Sequence, residues 1–203
     1  MLKRLHSLKH ITAIALLAAT FLTACTDHVE PDPSLPAEQI ARALALSIPA
    51  QVALPANPNG NTILATYFAT GVQRYRAQEK FYSNPVSYEW AFVAPQADLF
   101  NVSNAKIGTH FGGPSWTVTS SNSLIVGQPF SPAKTANVDP ESVDWLLLAT
   151  KTGTIPTGRF EDADYIQRIA TKGGKAPAVP PSSLQQTSDV PYTAVYIFSK
   201  INP

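Results

Sequence analysis

Two patterns of apolar and polar residues follow one another along the chain. Residues 11–22 carry no charge and follow a start that contains Lys3, Arg4 and Lys9. From about residue 47 onwards, apolar and polar side chains alternate with period two, which is typical of half-buried β-strands. The first pattern predicts a signal helix, and the second predicts a β domain.

The alternating part predicts an antiparallel β-sandwich or barrel of about nine strands. Runs rich in Gly, Pro, Asn and Ser separate the strands. Residues 143–149 are apolar almost throughout, as in a strand that is covered on both faces. No long helical pattern follows Leu46, so we predict an all-β fold with a single domain over residues 47–203. The strands are expected near residues 62–69, 71–79, 86–94, 105–111, 115–120, 123–128, 143–152, 163–171 and 191–199.

Residues 25–46 connect the two parts. Prolines and acidic residues are frequent between residues 26 and 36 and favour extended, solvated backbone. Residues 37–46 predict a short helix with Ile40 and Leu44 on one face. We interpret residues 25–46 as a Pro-rich tether that holds the β domain away from a membrane.

Residues 1–24 have the three-part shape of a secretory signal. At ~1.5 Å per residue, the apolar run is too short to span a hydrocarbon core of ~30 Å. It ends in Leu22-Thr23-Ala24-Cys25, which resembles the bacterial lipobox, where the cysteine is acylated and cleavage occurs before it. We therefore predict a lipoprotein signal peptide and a palmitate-type lipid on Cys25, through which the exported protein binds the membrane.

An ordinary signal peptide with an incidental cysteine is the alternative, although Cys25 is the only cysteine of the chain. Bacterial lipoproteins with Asp directly after the cysteine tend to stay at the inner membrane, and here Thr26 holds that place. If the host has two membranes, we expect the outer one, facing the periplasm or the cell surface.

Composition excludes several function classes. The 15 basic and 14 acidic residues give a net charge of +1, which leaves no basic surface for nucleic acid. A single cysteine excludes an intramolecular disulfide framework and a multi-cysteine zinc site. Residues 153–158 have the G-x-x-x-x-G spacing but lack the Lys and Ser/Thr of a phosphate loop, so we expect no nucleotide. Residues 161–164 are acidic and indicate a solvated loop; we expect no metal and no cofactor.

His110 is the single histidine of the predicted β domain and the only candidate catalytic residue. A Ser–His–Asp site with Ser115 and either Asp98 or Asp144 is conceivable. However, the run before Trp116 is not G-x-S-x-G and precedes a strand. Because Gly112 and Gly113 provide little cover, we expect His110 to be partly exposed.

Six motifs occur in an order that resembles the domain of unknown function family 3455, exported proteins of bacteria and fungi. The resemblance spans about residues 47–198 and implies an exported all-β protein without an established activity. Members often have a pair of cysteines at the positions that hold Ala77 and about Pro181 here. The disulfide bond that the resemblance implies is therefore missing from this chain. The motifs are Gly71–Tyr75, Trp90–Leu99, Gly108–Trp116, Trp145–Leu148, Tyr165–Pro177 and Tyr192–Tyr196.

Four polar residues lie inside these otherwise apolar motifs: Gln73, Tyr75, His110 and Gln167. A buried polar group without a partner costs ~1–3 kcal/mol. The four side chains therefore either satisfy one another in the core, as we favour for Gln73 and Gln167, or face a ligand-binding cleft. Trp90, Trp116 and Trp145 belong to the core by default, and Trp90 or Trp116 is expected to supply an apolar wall of such a cleft.

We interpret the chain as a lipid-anchored cell-envelope protein whose β domain binds an unknown envelope ligand or protein without catalysis. A hydrolase or lyase that acts on an envelope polymer, with His110 as acid or base, is the alternative. A purely structural spacer is the third possibility, and it predicts that no convergent polar groups line a sizeable pocket.

Overall fold

The computed structural model describes residues 35–81 and 84–203, so the predicted signal peptide, Cys25 and the first part of the predicted tether lie outside the described residues. Among the described residues, no helix combines the length and apolar character needed to cross a bilayer. The elements are α1 (Pro36–Leu44), a 3₁₀ turn (Ala50–Val52), β1 (Asn61–Glu79), β2 (Tyr88–Phe100), β3 (Lys106–Phe111), β4 (Ser115–Val118), a second 3₁₀ turn (Thr119–Ser121), β5 (Ser123–Ala136), β6 (Trp145–Thr150), a third 3₁₀ turn (Gly158–Phe160), β7 (Tyr165–Gly173) and β8 (Thr187–Ile201).

The eight strands form one closed antiparallel barrel in sequence order. This confirms the all-β prediction and selects the barrel over the sandwich. The count of nine strands was too high because residues 62–69 and 71–79 belong to one strand, β1. Gly71 does not interrupt β1: it pairs with Ala97 of β2 and with Tyr192 of β8.

The first and last strands close the barrel. β1 pairs with β8 from Asn61 opposite Ile201 to Arg76 opposite Thr187, with one register shift between Ile63 and Ala65. This seam is the longest strand pairing of the barrel, and closure leaves neither β1 nor β8 as an edge strand.

Alternate residues of each strand fill the barrel interior with large side chains, among them Trp116, Tyr196 and Phe198. The ring of Phe160 lies 4.5 Å from that of Phe198 and 6.2 Å from that of Tyr67, measured between centroids. Phe160 is fully buried and comes from the 3₁₀ turn before β7, so it fills one end of the barrel. The cavity described below is lined by other side chains of the interior and does not include Phe160.

A second apolar cluster lies outside the barrel, between its wall and the N-terminal segment. Ile40 and Ala43 of α1 and Val52 of the 3₁₀ turn are buried in this cluster. Trp145 and Leu147 of β6 face it, whereas Leu148 faces the interior. This arrangement confirms that β6 is covered on both faces.

The helix within residues 37–46 exists, but it is not part of a free spacer. Its buried face is made of Ile40 and Ala43, which lie three residues apart, whereas Leu44 is half exposed. This face packs on the barrel, so α1 is in contact with the domain that we predicted to begin at residue 47. The interpretation of the residues before α1 as a tether stays a prediction.

Candidate functional site

A cavity of about 270 Å³ is lined by residues from all eight strands of the barrel. Its wall is mostly apolar, and five of its side chains carry polar groups. The residues around it are Gln73, Phe92, Val93, Ala94, Pro95, His110, Gly112, Gly113, Pro114, Trp116, Pro129, Leu146, Leu148, Arg168 and Tyr196.

Three of the six residues that the sequence selected as ligand-binding line this cavity: Gln73, His110 and Trp116. They come from β1, β3 and β4. His110 pairs directly with Trp116 across β3 and β4, so both side chains lie on the same face of the sheet, and Trp116 belongs to the interior cluster. Each is at least 97% buried. The barrel thus brings together polar side chains that are distant in the sequence.

The other three selected residues lie elsewhere. Tyr75 is buried near the cavity, but its hydroxyl donates to the Gly174 carbonyl oxygen at 2.6 Å. Trp90 is partly exposed, and its Nε1 donates to the Val179 carbonyl oxygen at 2.9 Å. Gln167 faces the outer cluster, where its Nε2 donates to the Val52 carbonyl oxygen at 2.8 Å. These three residues serve the fold in this structure, and the four polar residues do not form a single site.

His110 is buried, contrary to the expected partial exposure. Its ring stacks on that of Trp116 at 4.4 Å between centroids and 6° between planes, and the ring of Tyr196 lies 4.9 Å away. These two aromatic rings cover the imidazole from inside the barrel, so the small residues after it do not expose it. Only 3% of His110 is accessible.

The hydrogen bond of His110 fixes its tautomer. Nδ1 lies 2.9 Å from the Ser115 carbonyl oxygen, and because a carbonyl can only accept, Nδ1 carries the hydrogen. Burial lowers the pKa of His110 to about 3, partly opposed by this hydrogen bond and reinforced by the Arg168 charge. The imidazole is therefore neutral at pH 7, with Nε2 as an acceptor.

We expect His110 to make folding sensitive to acid. Between its folded pKa of about 3 and its ordinary value of 6.5, the unfolded chain binds a proton that the folded chain does not. Stability is therefore lost as the pH falls through this window, by about 1.4 kcal/mol per pH unit between roughly pH 6 and pH 4. Urea unfolding at a series of pH values measures this slope. A His110→Phe variant, which keeps a ring against Trp116, should show a shallower slope, and equal slopes would contradict the prediction.

The conceivable Ser–His–Asp arrangement does not occur. Ser115 contacts His110 through its carbonyl oxygen and not through its hydroxyl. Asp98 pairs with Lys106 at 2.8 Å, and the Asp144 carboxylate accepts from Asn137. No carboxylate is among the groups that shift the pKa of His110.

Arg168 is the site residue that the sequence analysis missed. It lies on β7, one residue after Gln167, and lines the cavity. Its Nε and Nη2 donate to the Asp144 carbonyl oxygen at 3.1 and 2.8 Å. No Asp or Glu side chain of the described residues forms an ion pair with it. The available signal was the alternation of β7, which places Arg168 on the same face as Ile166.

Several polar atoms of the cavity lining make no hydrogen bond of good geometry among the described residues. They are Nε2 of Gln73, Nε1 of Trp116 and the hydroxyl of Tyr196, and the same holds for the hydroxyl of Tyr192 on the same strand face as Tyr196. Looser polar contacts link Gln73 to Tyr192, Tyr192 to Tyr196 and Tyr196 to Arg168. Burial raises the pKa of Tyr196, so this hydroxyl keeps its proton at neutral pH. Unpaired buried polar groups are uncommon in native proteins and often mark a place for water or a ligand.

The remaining sequence motifs do not form a site. Residues 153–158 form a turn that leads into the short 3₁₀ turn with Phe160. In the acidic run of residues 161–164, the Asp164 carboxylate accepts a hydrogen bond from the Ile201 backbone N–H at 2.7 Å. Within residues 35–81 and 84–203, no three His, Cys, Asp or Glu side chains cluster closely enough to hold a metal ion.

Comparison with known proteins gives one match. The family model described as a protein of unknown function (DUF3455) matches residues 58–200, which cover β1 to β8 almost completely. No curated protein and no solved structure matches the chain. The match thus covers the whole barrel and all residues of the cavity wall.

Proposed function

The chain belongs to the DUF3455 family of proteins of unknown function, and from this premise we propose that it is a lipid-anchored envelope protein whose barrel binds a small ligand without covalent chemistry. One observation carries the binding proposal. Five polar side chains, each from a different strand, converge on one mostly apolar cavity, and three of them keep a polar atom without a well-formed hydrogen bond. Ligand sites commonly have this composition of apolar walls with a few polar groups.

The same observation favours binding over a purely structural role. A barrel with a purely structural role would be more stable without unpaired polar atoms in its interior, because each of them lowers the free energy of unfolding by ~1–3 kcal/mol. Apolar side chains of similar volume could fill the same positions. Retaining Gln73, Trp116 and Tyr196 there is consistent with a ligand that pairs with them.

The geometry of His110 does not suit acid or base catalysis. A general acid or base is most effective when its pKa lies near the working pH. The pKa of His110 is about 3, and no hydroxyl or carboxylate side chain contacts its ring nitrogens among the described residues. His110 is better suited to orient the Trp116 ring on which it stacks.

Blocking the cavity should weaken binding. Ala94 lines the cavity and is partly exposed, so Ala94→Leu adds volume at the mouth without overfilling the core. Isothermal titration with toluene, benzyl alcohol and phenylacetate should show saturable binding of at least one probe, and Ala94→Leu should weaken it at least about tenfold. Ala91→Leu on the same strand lies outside the cavity lining and is the matched control. Absence of binding by all three probes, or unchanged affinity in Ala94→Leu, would contradict the proposal.

The lipid anchor is supported by the sequence alone. A lipobox-like run ends at the single cysteine, and Thr26 follows it in place of the aspartate associated with inner-membrane retention. Two or three acyl chains on Cys25 would hold the protein stably on a bilayer, as one chain does not. In a host with two membranes we propose the outer membrane as its location, to be tested by membrane fractionation.

Cys25→Ala should abolish labelling of the protein by a palmitate analogue. Cys25 is the only thiol of the chain, and its acylation leads to cleavage, so the variant should also accumulate as uncleaved precursor or be released. Metabolic labelling followed by gel fluorescence measures both effects. Thr26→Ala is the control and should label normally. Persistent label on the Cys25→Ala variant would refute lipidation at this residue.

A further inference from the structure

The cavity carries a positive charge that no acidic side chain balances. Arg168 contributes a guanidinium to its wall, and among the described residues no carboxylate pairs with it. The groups that shift the pKa of His110 and of Tyr196 include Arg168 but no Asp or Glu. Because His110 is neutral at pH 7, Arg168 is the single charged side chain of the cavity lining.

Arg168 has donors left for a ligand. A guanidinium has five N–H groups; two of those of Arg168 donate to the Asp144 carbonyl oxygen and a third interacts with the Tyr196 hydroxyl, which leaves two. The contact with Asp144 also fixes the orientation of the Arg168 side chain, so less conformational entropy is lost when a ligand binds. Trp116 lines the same cavity with an unpaired N–H group, and the Gln73 amide, which interacts with the Tyr192 hydroxyl, has a second N–H group.

The remaining wall selects among anions. Leu146, Leu148 and the Trp116 ring make it largely apolar, and its volume of about 270 Å³ lies below the ~300–1,000 Å³ of common ligand sites. A phosphate carries more negative charge than one arginine can balance. Its remaining charge would lose hydration in this mostly apolar cavity, which costs free energy. A carboxylate matches the planar guanidinium in charge and geometry, and an apolar body attached to it would fill the rest.

We infer that the ligand of the cavity is a small apolar carboxylate, such as an aromatic or branched short-chain acid, whose carboxylate pairs with Arg168. This inference rests on the proposed function and names the chemical class of its ligand. The apolar body lies against the leucines of β6, and the donors of Gln73 and Trp116 are placed to complete the hydrogen bonds of the carboxylate.

Phenylacetate and phenylacetamide test this inference, because they share their shape and differ in charge. In isothermal titrations of the purified full chain at pH 7, phenylacetate should bind about ten- to hundredfold more tightly than the amide. Arg168→Met should remove this preference while leaving the affinity for the amide unchanged, and Arg168→Lys should keep part of it. Arg74→Met is the matched control, since Arg74 lies on the exposed outer face and pairs with Asp189.

The outcomes separate this inference from the proposed function. Equal binding of acid and amide, or tighter binding of the amide, would overturn the carboxylate inference and leave the binding proposal intact. If no probe binds, the result contradicts both the carboxylate inference and the binding proposal. A preference for the acid that persists in Arg168→Met would also overturn the role of Arg168. Circular dichroism checks the folding of each variant. If Arg168→Met does not fold, the inference is tested by the affinities for phenylacetate and phenylacetamide in the native chain and in Arg168→Lys.

Discussion

Trp116→Ala is expected to lower the free energy of unfolding by about 3–5 kcal/mol. The indole is 1% exposed and packs against three rings: it stacks on His110 at 4.4 Å and meets Tyr196 at 5.2 Å and Phe198 at 5.8 Å between centroids. Removing it deletes these contacts and enlarges the existing cavity into the core. Urea or thermal unfolding followed by circular dichroism measures the loss.

Trp90→Ala is the matched control for Trp116→Ala. Trp90 is partly exposed and has one hydrogen bond, to the Val179 carbonyl oxygen, so its loss should cost only about 1–2 kcal/mol. Equal losses in the two variants would mean that the barrel interior does not depend on the indole of Trp116. That result would contradict the packing described for this end of the barrel.

Gly71→Ala is expected to destabilise the barrel by at least about 3 kcal/mol. A Cβ at this position would overlap the Gln96 carbonyl oxygen and lie 2.5 Å from the Ala97 Cα. Both are backbone atoms of β2, so no side-chain rotation relieves the contact, and the pairing of β1 with β2 must shift. Denaturant unfolding measures the effect.

Gly112→Ala is the corresponding control, because its Cβ would meet only the Ala94 side chain, at 3.2 Å. The loss of stability there should stay below about 1 kcal/mol. A Gly71→Ala variant as stable as Gly112→Ala would show that the backbones of β1 and β2 can separate at this point without loss.

Alternation of apolar and polar residues was sufficient to predict the strands, because one face of each strand is buried inside the barrel. It could not show that residues 62–79 form one strand, since Gly71 marks a close approach to β2 rather than a turn. Likewise, the pattern of residues 37–46 predicted a helix, but not the face that docks. Ile40 and Ala43 are buried only because the outer wall of the barrel offers an apolar surface.

The site was partly predictable for the same reason. The search for polar residues inside apolar motifs selected Gln73 and His110, and both line the cavity. Gln167 was selected over Arg168, although a shift of one residue along a strand moves a side chain to the other face. The alternation along β7 puts Arg168 on the face of Ile166, but only the register of β7 against β6, with Gln167 opposite Leu147 of the outer cluster and Arg168 opposite Leu146, shows that this face is the interior one. Sequence alone does not contain that register.

The seam between β1 and β8 has a consequence for the order of folding. Since the strand that closes the barrel is the last to be synthesised, β1 has no partner on one side until the C-terminal residues are available. Pairings between strands so distant in the sequence form late and slowly, because loop closure precedes their stabilisation. β1 therefore remains an edge strand until β8 is available, and the barrel closes only after all eight of its strands have been synthesised.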